Sequence, residues 1–350
     1  MNRLLYRLAV IAFAITMSAS AVVHTATDSS VEDPVVSMVG AALPTEGVET
    51  RAMQASQTTA ATAQVKVITY NLCGAASHCA NPGEIVNRTG YLIDEVLAYD
   101  ADVVMLTEVC YLQYAHIRDQ LVAKGYDHKW AASRPQVANC TPPGGNTADL
   151  AAQNALRFGN VILAKSSLTN REEIRLTETN YGTAAISKAL CADAGIPGLG
   201  QGKVRACVAH PRAGKTGPAA RARWDELTAW AAEVDRYLHG NDQLVILGGD
   251  FNAEPGDREL DPFYALDGIG EFIELDMTDS AAFTPGCTSQ QATRCRSGAP
   301  TFIHPTDGPK KLDYIFFSSS HVNDFGAGVR PIGPNSDHHL FRGWANVTVN

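Results

Sequence analysis

Along this chain, continuous apolar runs alternate with amphipathic segments and with polar stretches rich in glycine and proline. Residues 65–70 are β-branched and mostly apolar, which predicts a strand ending at Asn71. Residues 102–108 and 244–247 are apolar almost without interruption, the pattern of strands covered on both faces. Further strands are predicted over residues 160–164, 173–177, 184–190, 203–210, 312–317 and 344–349. Helical spacing appears over residues 84–97, 112–123 and 218–238. In the last of these Trp224, Leu227, Trp230, Ala231 and Val234 share one side. Residues 133–154, with prolines beside glycines and Cys140, predict a long surface loop. Many strands with few helices, several of them pairable as hairpins, predict an α/β (α+β) mixed-sheet system rather than a doubly wound parallel sheet.

The first sixty residues do not follow these patterns. Residues 1–7 hold two arginines and no acid, an apolar run follows over residues 8–17, and Ala19-Ser20-Ala21 then supplies small residues. That is the layout of a secretory signal peptide over residues 1–21, with Ala26 as a second cleavage option. A run of about ten apolar residues is too short to span a bilayer. Residues 22–63 are rich in Ala, Ser, Thr and Val without a clear period, which predicts a disordered linker or pro-segment. The expected catalytic domain is 64–350, with no integral membrane segment after removal of the leader.

The formal charge of −9 argues against a protein that holds nucleic acid by bulk electrostatics. It leaves room for an enzyme that reaches phosphates through a metal ion. The eight cysteines suggest disulfides in an exported chain. Order along the chain suggests Cys73–Cys79, Cys110–Cys140, Cys191–Cys207 and Cys287–Cys295. No CxxC or compact Cys/His cluster points to zinc. The chain also lacks GxGxxG, GxxxxGK[ST] and GxSxG, which removes the common nucleotide-cradling loops and the serine-esterase elbow.

Polar residues recur where apolar strands end and the chain leaves the core. Asn71, Glu108 and His210 end strands, Asp250 and Asn252 follow one, Asp313 sits at the edge of another, and Asp337 and His338 precede the last. A hard divalent ion takes carboxylate and amide oxygens and keeps water for a substrate phosphate. Phosphate-ester hydrolysis also needs a group that deprotonates water and donors around the developing charge.

Thr69-Tyr70-Asn71-Leu72, Leu106-Thr107-Glu108, Gly249-Asp250-Phe251-Asn252, Leu312-Asp313-Tyr314-Ile315 and Ser336-Asp337-His338 occur in one order along residues 65–349. In this the chain resembles the endonuclease/exonuclease/phosphatase superfamily of pancreatic-deoxyribonuclease-like enzymes. The resemblance implies a four-layered sandwich, two packed mixed β-sheets flanked by helices. It implies Glu108 as the principal Mg²⁺ ligand, with Asn71 and Asp337 in the metal region and Mn²⁺ or Ca²⁺ as alternatives. Asp250 would orient or activate the water, Asn252 and His210 would contact phosphate, and His338 would be the catalytic histidine oriented by Asp313. Whether Asp250 or His338 is the base stays open at this stage. Ala209 and Pro211 flank His210 where the family usually has Thr-His-Leu, and Cys73 stands where some members carry a further acid. Arg157 is a weaker candidate for substrate phosphate.

These features lead to a secreted, Mg²⁺-dependent phosphodiesterase, with nucleic acid as the favoured substrate. A sphingomyelinase-type phospholipase C or a phosphomonoesterase of the same superfamily is the alternative. A non-catalytic binding or toxin-accessory protein is the third reading. Arg205, Arg212, Lys215, Arg221 and Arg223 form a modest basic stretch that could track a nucleic-acid backbone.

Overall fold

The computed structural model describes residues 60–177, 187–265, 268–277, 296 and 298–350. The leader, most of the linker and the expected Cys287–Cys295 pair lie outside them. Two six-stranded sheets form the body. The first runs β13 (Val322–Ile332), β14 (His339–Val349), β1 (Ala61–Asn71), β2 (Val103–Cys110), β4 (Phe158–Ala164), β3 (Asp127–Arg134). The second runs β5 (Leu168–Arg175), β6 (Lys188–Ile196), β7 (Gly200–Ala209), β8 (Leu244–Asp250), β12 (Asp313–Ser318), β9 (Phe272–Glu274). A small hairpin pairs β10 (Phe302–His304) with β11 (Gly308–Lys310).

Side-chain alternation builds the layers. On β1 and β2, Val67, Val103 and Met105 face the other sheet and meet Val208, Ile246 and Ile315. Ile68, Tyr70, Val104 and Leu106 point the opposite way, to Leu92 and Val96 of α1 (Val86–Tyr99) and to Ile117 and Leu121 of α2 (Tyr111–Val122). On the far side, Leu227, Trp230 and Val234 of α4 (Gly217–Asn241) cover Val245, Leu247 and Phe316. The continuous apolar runs are thus explained by burial on both faces, and the four-layered sandwich is as expected. A buried side chain of this size contributes about 1.5–3 kcal/mol.

Each sheet contains one parallel pair among its named strands, β1 with β2 and β7 with β8. A helix connects the strands of each pair, α1 in the first sheet and α4 in the second. The C-terminal ends of all four strands carry expected site residues. Gly249 has φ +131°, and a Cβ there would lie 2.1 Å from the Ala209 carbonyl oxygen. Glycine is therefore required next to Asp250, where β7 and β8 run closest. At Gly248 a Cβ would lie 2.2 Å from Met105 Cε, so the two sheets also meet tightly below the site.

Several boundaries differ from the pattern-based expectation. β1 begins at Ala61, not at 65, because Ala61 to Ala63 pair with Val349 to Val347 of β14; three residues assigned to the linker belong to the sheet. The loop expected over residues 133–154 contains the end of β3, a single 3-10 turn at Ala138–Cys140 and a short α3 (Thr147–Ala152) capped by Asn146. Strands β3 and β13 were not expected. Both are half-exposed along most of their length, so no apolar run marks them. Three of the expected disulfides are present, Cys73–Cys79, Cys110–Cys140 and Cys191–Cys207. Cys191 and Cys207 face each other across β6 and β7.

Candidate active site

The site lies where the ends of the parallel pairs meet. Strict alternation would send Glu108 to the helix-facing side with Val104 and Leu106. A break in register with β4 after Leu106, together with φ +55° at Glu108, turns the side chain toward the cleft instead. A non-glycine residue in this region costs of order 1–3 kcal/mol. Asn252 is also left-handed, at φ +53°. Its backbone N–H donates to Asp250 Oδ1 at 2.8 Å and its side-chain amide donates to the Pro211 carbonyl at 3.0 Å. Asn252 thereby ties the turn after β8 to the segment after β7, and it lines the cleft.

Asp313, fully buried, accepts from His338 Nδ1 at 2.8 Å. Thr301 Oγ1 accepts the backbone N–H groups of Leu312 and Asp313, which fixes the start of β12. The other imidazole nitrogen of His338, Nε2, stands 3.6 Å from Asp250 Oδ2. The same carboxylate oxygen accepts from Asn71 Nδ2 at 3.0 Å and lies 3.4 Å from His210 Nε2. His210 Nε2 is in turn 3.7 Å from Glu108 Oε1. The Phe302 ring leans on His338 with centroids 4.7 Å apart.

Charge states follow from this packing. Burial alone would lower His338, but the charges of Asp313 and Asp250 outweigh it and push it up to about 10. Burial would raise Asp250, yet its hydrogen bond with His210 and the two nearby imidazoles hold it down at about 2. Burial opposes charge on His210 as well; the hydrogen bond and charge of Asp250, then Glu108, raise it. The proton of the Asp313–His338 pair therefore rests on the histidine, which faces two carboxylates. At neutral pH the site holds an ionised Asp250 beside a charged His338, with His210 biased toward its charged form.

Four carboxyl groups, Glu108, Asp250, Asp313 and Asp337, meet two imidazoles, His210 and His338, an excess of acidic side chains. A substrate phosphate would add to that excess. Glu108 is partly exposed and opens on both cavities described below. The donor set is made of carboxylate and amide oxygens, which suits a hard divalent cation and its charge. Asn71 Oδ1 already accepts the Cys73 N–H at 2.8 Å, so its amide both braces Asp250 and retains limited capacity for a ligand. Asp337 lines the cleft with His78 Nε2 2.9 Å away and the Cys79 Sγ at 3.3 Å. The cluster Cys73, His78, Cys79 and Asp337 has its sulfurs in a disulfide, not as thiolates.

Arg157 is not brought to this group. It stacks on Tyr111 at 4.2 Å, its Nε donates to the Asn154 carbonyl, and it lines neither cavity. The basic stretch also disperses. Arg205 is buried against Asp193 and Glu172, Arg223 against Glu259, and Lys215 pairs with Glu254. Arg221 is exposed on α4 outside both cavities.

Pattern reasoning missed Arg88. Fully buried, it donates to the carbonyls of Leu72, Cys73, Ala80, Asn81 and Asn335, clamping the loop after Asn71 to the one before Asp337. Its position inside an otherwise amphipathic helix, on the side of Leu92 and Val96, was the available signal. Two cavities flank Glu108 and His210, which line both. One of about 780 Å³ includes Asp250, Asp337 and His338; the other, of about 440 Å³, includes Arg134, Arg212 and Phe158.

The sequence matches the profile of the Endonuclease/Exonuclease/phosphatase family over residues 68–338. No curated protein matches it in sequence. Solved structures share the fold at low identity. The human Nocturnin catalytic domain has a TM-score of 0.58 at 19% identity, covering 81% of this chain and 94% of that one. Truncated TDP2 from Caenorhabditis elegans gives 0.55 at 14%, covering 81% and 97%. A mannosyl-6-phosphatase from Bacteroides thetaiotaomicron gives 0.54 at 16%, covering 80% and 98%.

Proposed function

The chain belongs to the endonuclease/exonuclease/phosphatase family, whose members hydrolyse phosphoester bonds with divalent metal ions, and from there we propose that it is a secreted, Mg²⁺-dependent phosphodiesterase acting on nucleic acid. The observation that carries this reading is the chain of contacts Asp313–His338–Asp250–His210–Glu108, closed by Asn71, at the meeting point of four strand ends. Export is supported by the leader pattern and by three disulfides among the described residues. No helix among these residues is long and apolar enough to cross a membrane.

In this mechanism Glu108, with Asn71 and Asp337 nearby, would hold Mg²⁺, which supplies positive charge for the phosphoryl oxygens. Asp250, ionised and fixed by Asn71 and the Asn252 N–H, aligns the attacking water and accepts its proton. The water oxygen bonds to phosphorus as the ester P–O bond breaks. His210 and the charged His338 donate to the phosphoryl group as negative charge develops there. His338, held by Asp313, is then placed as donor rather than base, and the departing alkoxide takes its proton.

The hairpin of β10 and β11 at the rim bears on the phospholipase alternative. Ile303 is its one exposed large aliphatic side chain, with Pro305 and Pro309 exposed as well and His304, Asp307 and Lys310 beside them. A membrane-entering hairpin would present a broader apolar face. Purified protein assayed with Mg²⁺ against plasmid DNA, RNA, sphingomyelin and phosphomonoesters tests the proposal. Cleavage of DNA or RNA that EDTA stops is expected. Turnover of sphingomyelin or monoesters alone would overturn the substrate, and insensitivity to EDTA would overturn the metal.

A further inference from the structure

The two cavities beside the scissile position differ in their unspent charge. The larger contains three lysine or arginine side chains, and each is already matched: Lys215 with Glu254, Arg223 with Glu259, Lys310 with Asp307. Its further acids leave it without a surplus cation for a polyanion. The 440 Å³ cavity, lined by Arg134, Arg212, Glu108 and Glu226, differs at Arg134. Arg134, exposed at the end of β3, rests 5.9 Å over the Phe158 ring, and no carboxylate among the described residues pairs with it. Arg212 lines the opposite wall. Glu226 beneath it is fully buried and accepts the Arg212 backbone N–H at 2.6 Å, with the Arg212 Nε 3.9 Å from its other oxygen. That carboxylate anchors the segment that follows His210.

We propose that this cavity is a subsite for the phosphate next to the scissile one, with Arg134 as its donor. The inference rests on the phosphodiesterase reading and adds a direction to it: the rest of the polyanion leaves the centre past Arg134, not past the β10–β11 hairpin. The chemistry recognised is a second phosphate, whether in a nucleic-acid strand or in a small bisphosphate.

The test uses a hexanucleotide with one cleavable internal bond and an uncharged methylphosphonate at the neighbouring linkage, placed on each side in turn. With the unmodified protein and Mg²⁺, neutralising the linkage on one side should lower kcat/KM about 10-fold, the scale of one lost charge-assisted hydrogen bond. In Arg134→Gln that discrimination should vanish, and the slope of log KM against log salt should fall by about one. Equal cleavage of charged and neutral substrates by the unmodified protein would overturn the subsite, as would discrimination that survives in Arg134→Gln. A nucleoside 3′,5′-bisphosphate is the second arm. Arg134-dependent turnover of it alone, a monoester cleavage, would support the subsite and overturn both the nucleic-acid and the phosphodiesterase readings. No turnover of any diester, bis(4-nitrophenyl) phosphate included, would overturn the phosphodiesterase reading itself.

Discussion

The two sheets contribute different chemistry to one centre. The first supplies Asn71 and Glu108 at the ends of β1 and β2, and Asp337 and His338 just before β14. The second supplies His210, Asp250 and Asp313 at the ends of β7 and β8 and the start of β12. Residues suited to a cation thus gather on one side, and residues proposed to handle the water and its proton on the other. His338 is the exception, for it comes from the first sheet while its ion-pair partners, Asp313 and Asp250, belong to the second. Asn71 to Asp250, His338 to Asp313 and Glu108 to His210 each cross between sheets, and only Asp250 to His210 among the contacts of that chain stays within one. Neither sheet holds a working half.

The sharpest way to break this comparison is to remove a crossing residue. Asp250→Asn and His338→Ala should each lower kcat by about 10⁴-fold with the fold intact by circular dichroism, the upper range for an acid–base group. Near-normal turnover in either would sink the division of labour. Glu108→Ala should lower activity by about 100-fold or more at fixed Mg²⁺, with the loss appearing as weaker metal binding by calorimetry. Unchanged Mg²⁺ affinity would remove the cation role from the first sheet.

Asp313→Asn should move the alkaline limb of the pH–rate profile down from about 10, because the carboxylate holds the proton on His338. The sign is that of a raised base. Stability from charged His338 is complete below its unfolded value near 6.5 and is lost as pH rises toward about 10. Asp250 works in the opposite sense. Its contribution is complete above the ordinary 3.8 and is lost as pH falls toward about 2. An alkaline limb unmoved by Asp313→Asn would show that the pair does not set it. Gly248→Ala, which presses a methyl against Met105 between the sheets, should cost about 1–3 kcal/mol in urea unfolding. A neutral result would mean that the sheets can shift apart without harm. Arg157→Ala, on the first sheet but stacked on Tyr111, should change kcat/KM less than about two-fold. A large loss would restore it to the site.

Much of this grouping was legible in the sequence, because each candidate polar residue follows or opens a segment rich in apolar and β-branched residues. The register break that turns Glu108 toward the cleft was not legible, since alternation along residues 103–108 points it the other way. Arg205 looked like part of a nucleic-acid track until Asp193 and Glu172, brought beside it by β5 and β6, claimed it. Arg134 and Arg88 were overlooked for the same reason: partners distant along the chain decide what an arginine does. Strand β13, with its glycines and polar residues, owes its conformation to pairing with β14 rather than to its own composition.

The place of β14 also matters in time. It lies between β13 and β1, and His338 immediately precedes it. On a ribosome adding roughly 5–20 residues each second, β1 waits for its neighbour until nearly three hundred more residues have been made. A growing chain can therefore assemble much of its core while remaining silent as a catalyst. If its substrate is nucleic acid, the cell that makes it is shielded by the order of synthesis.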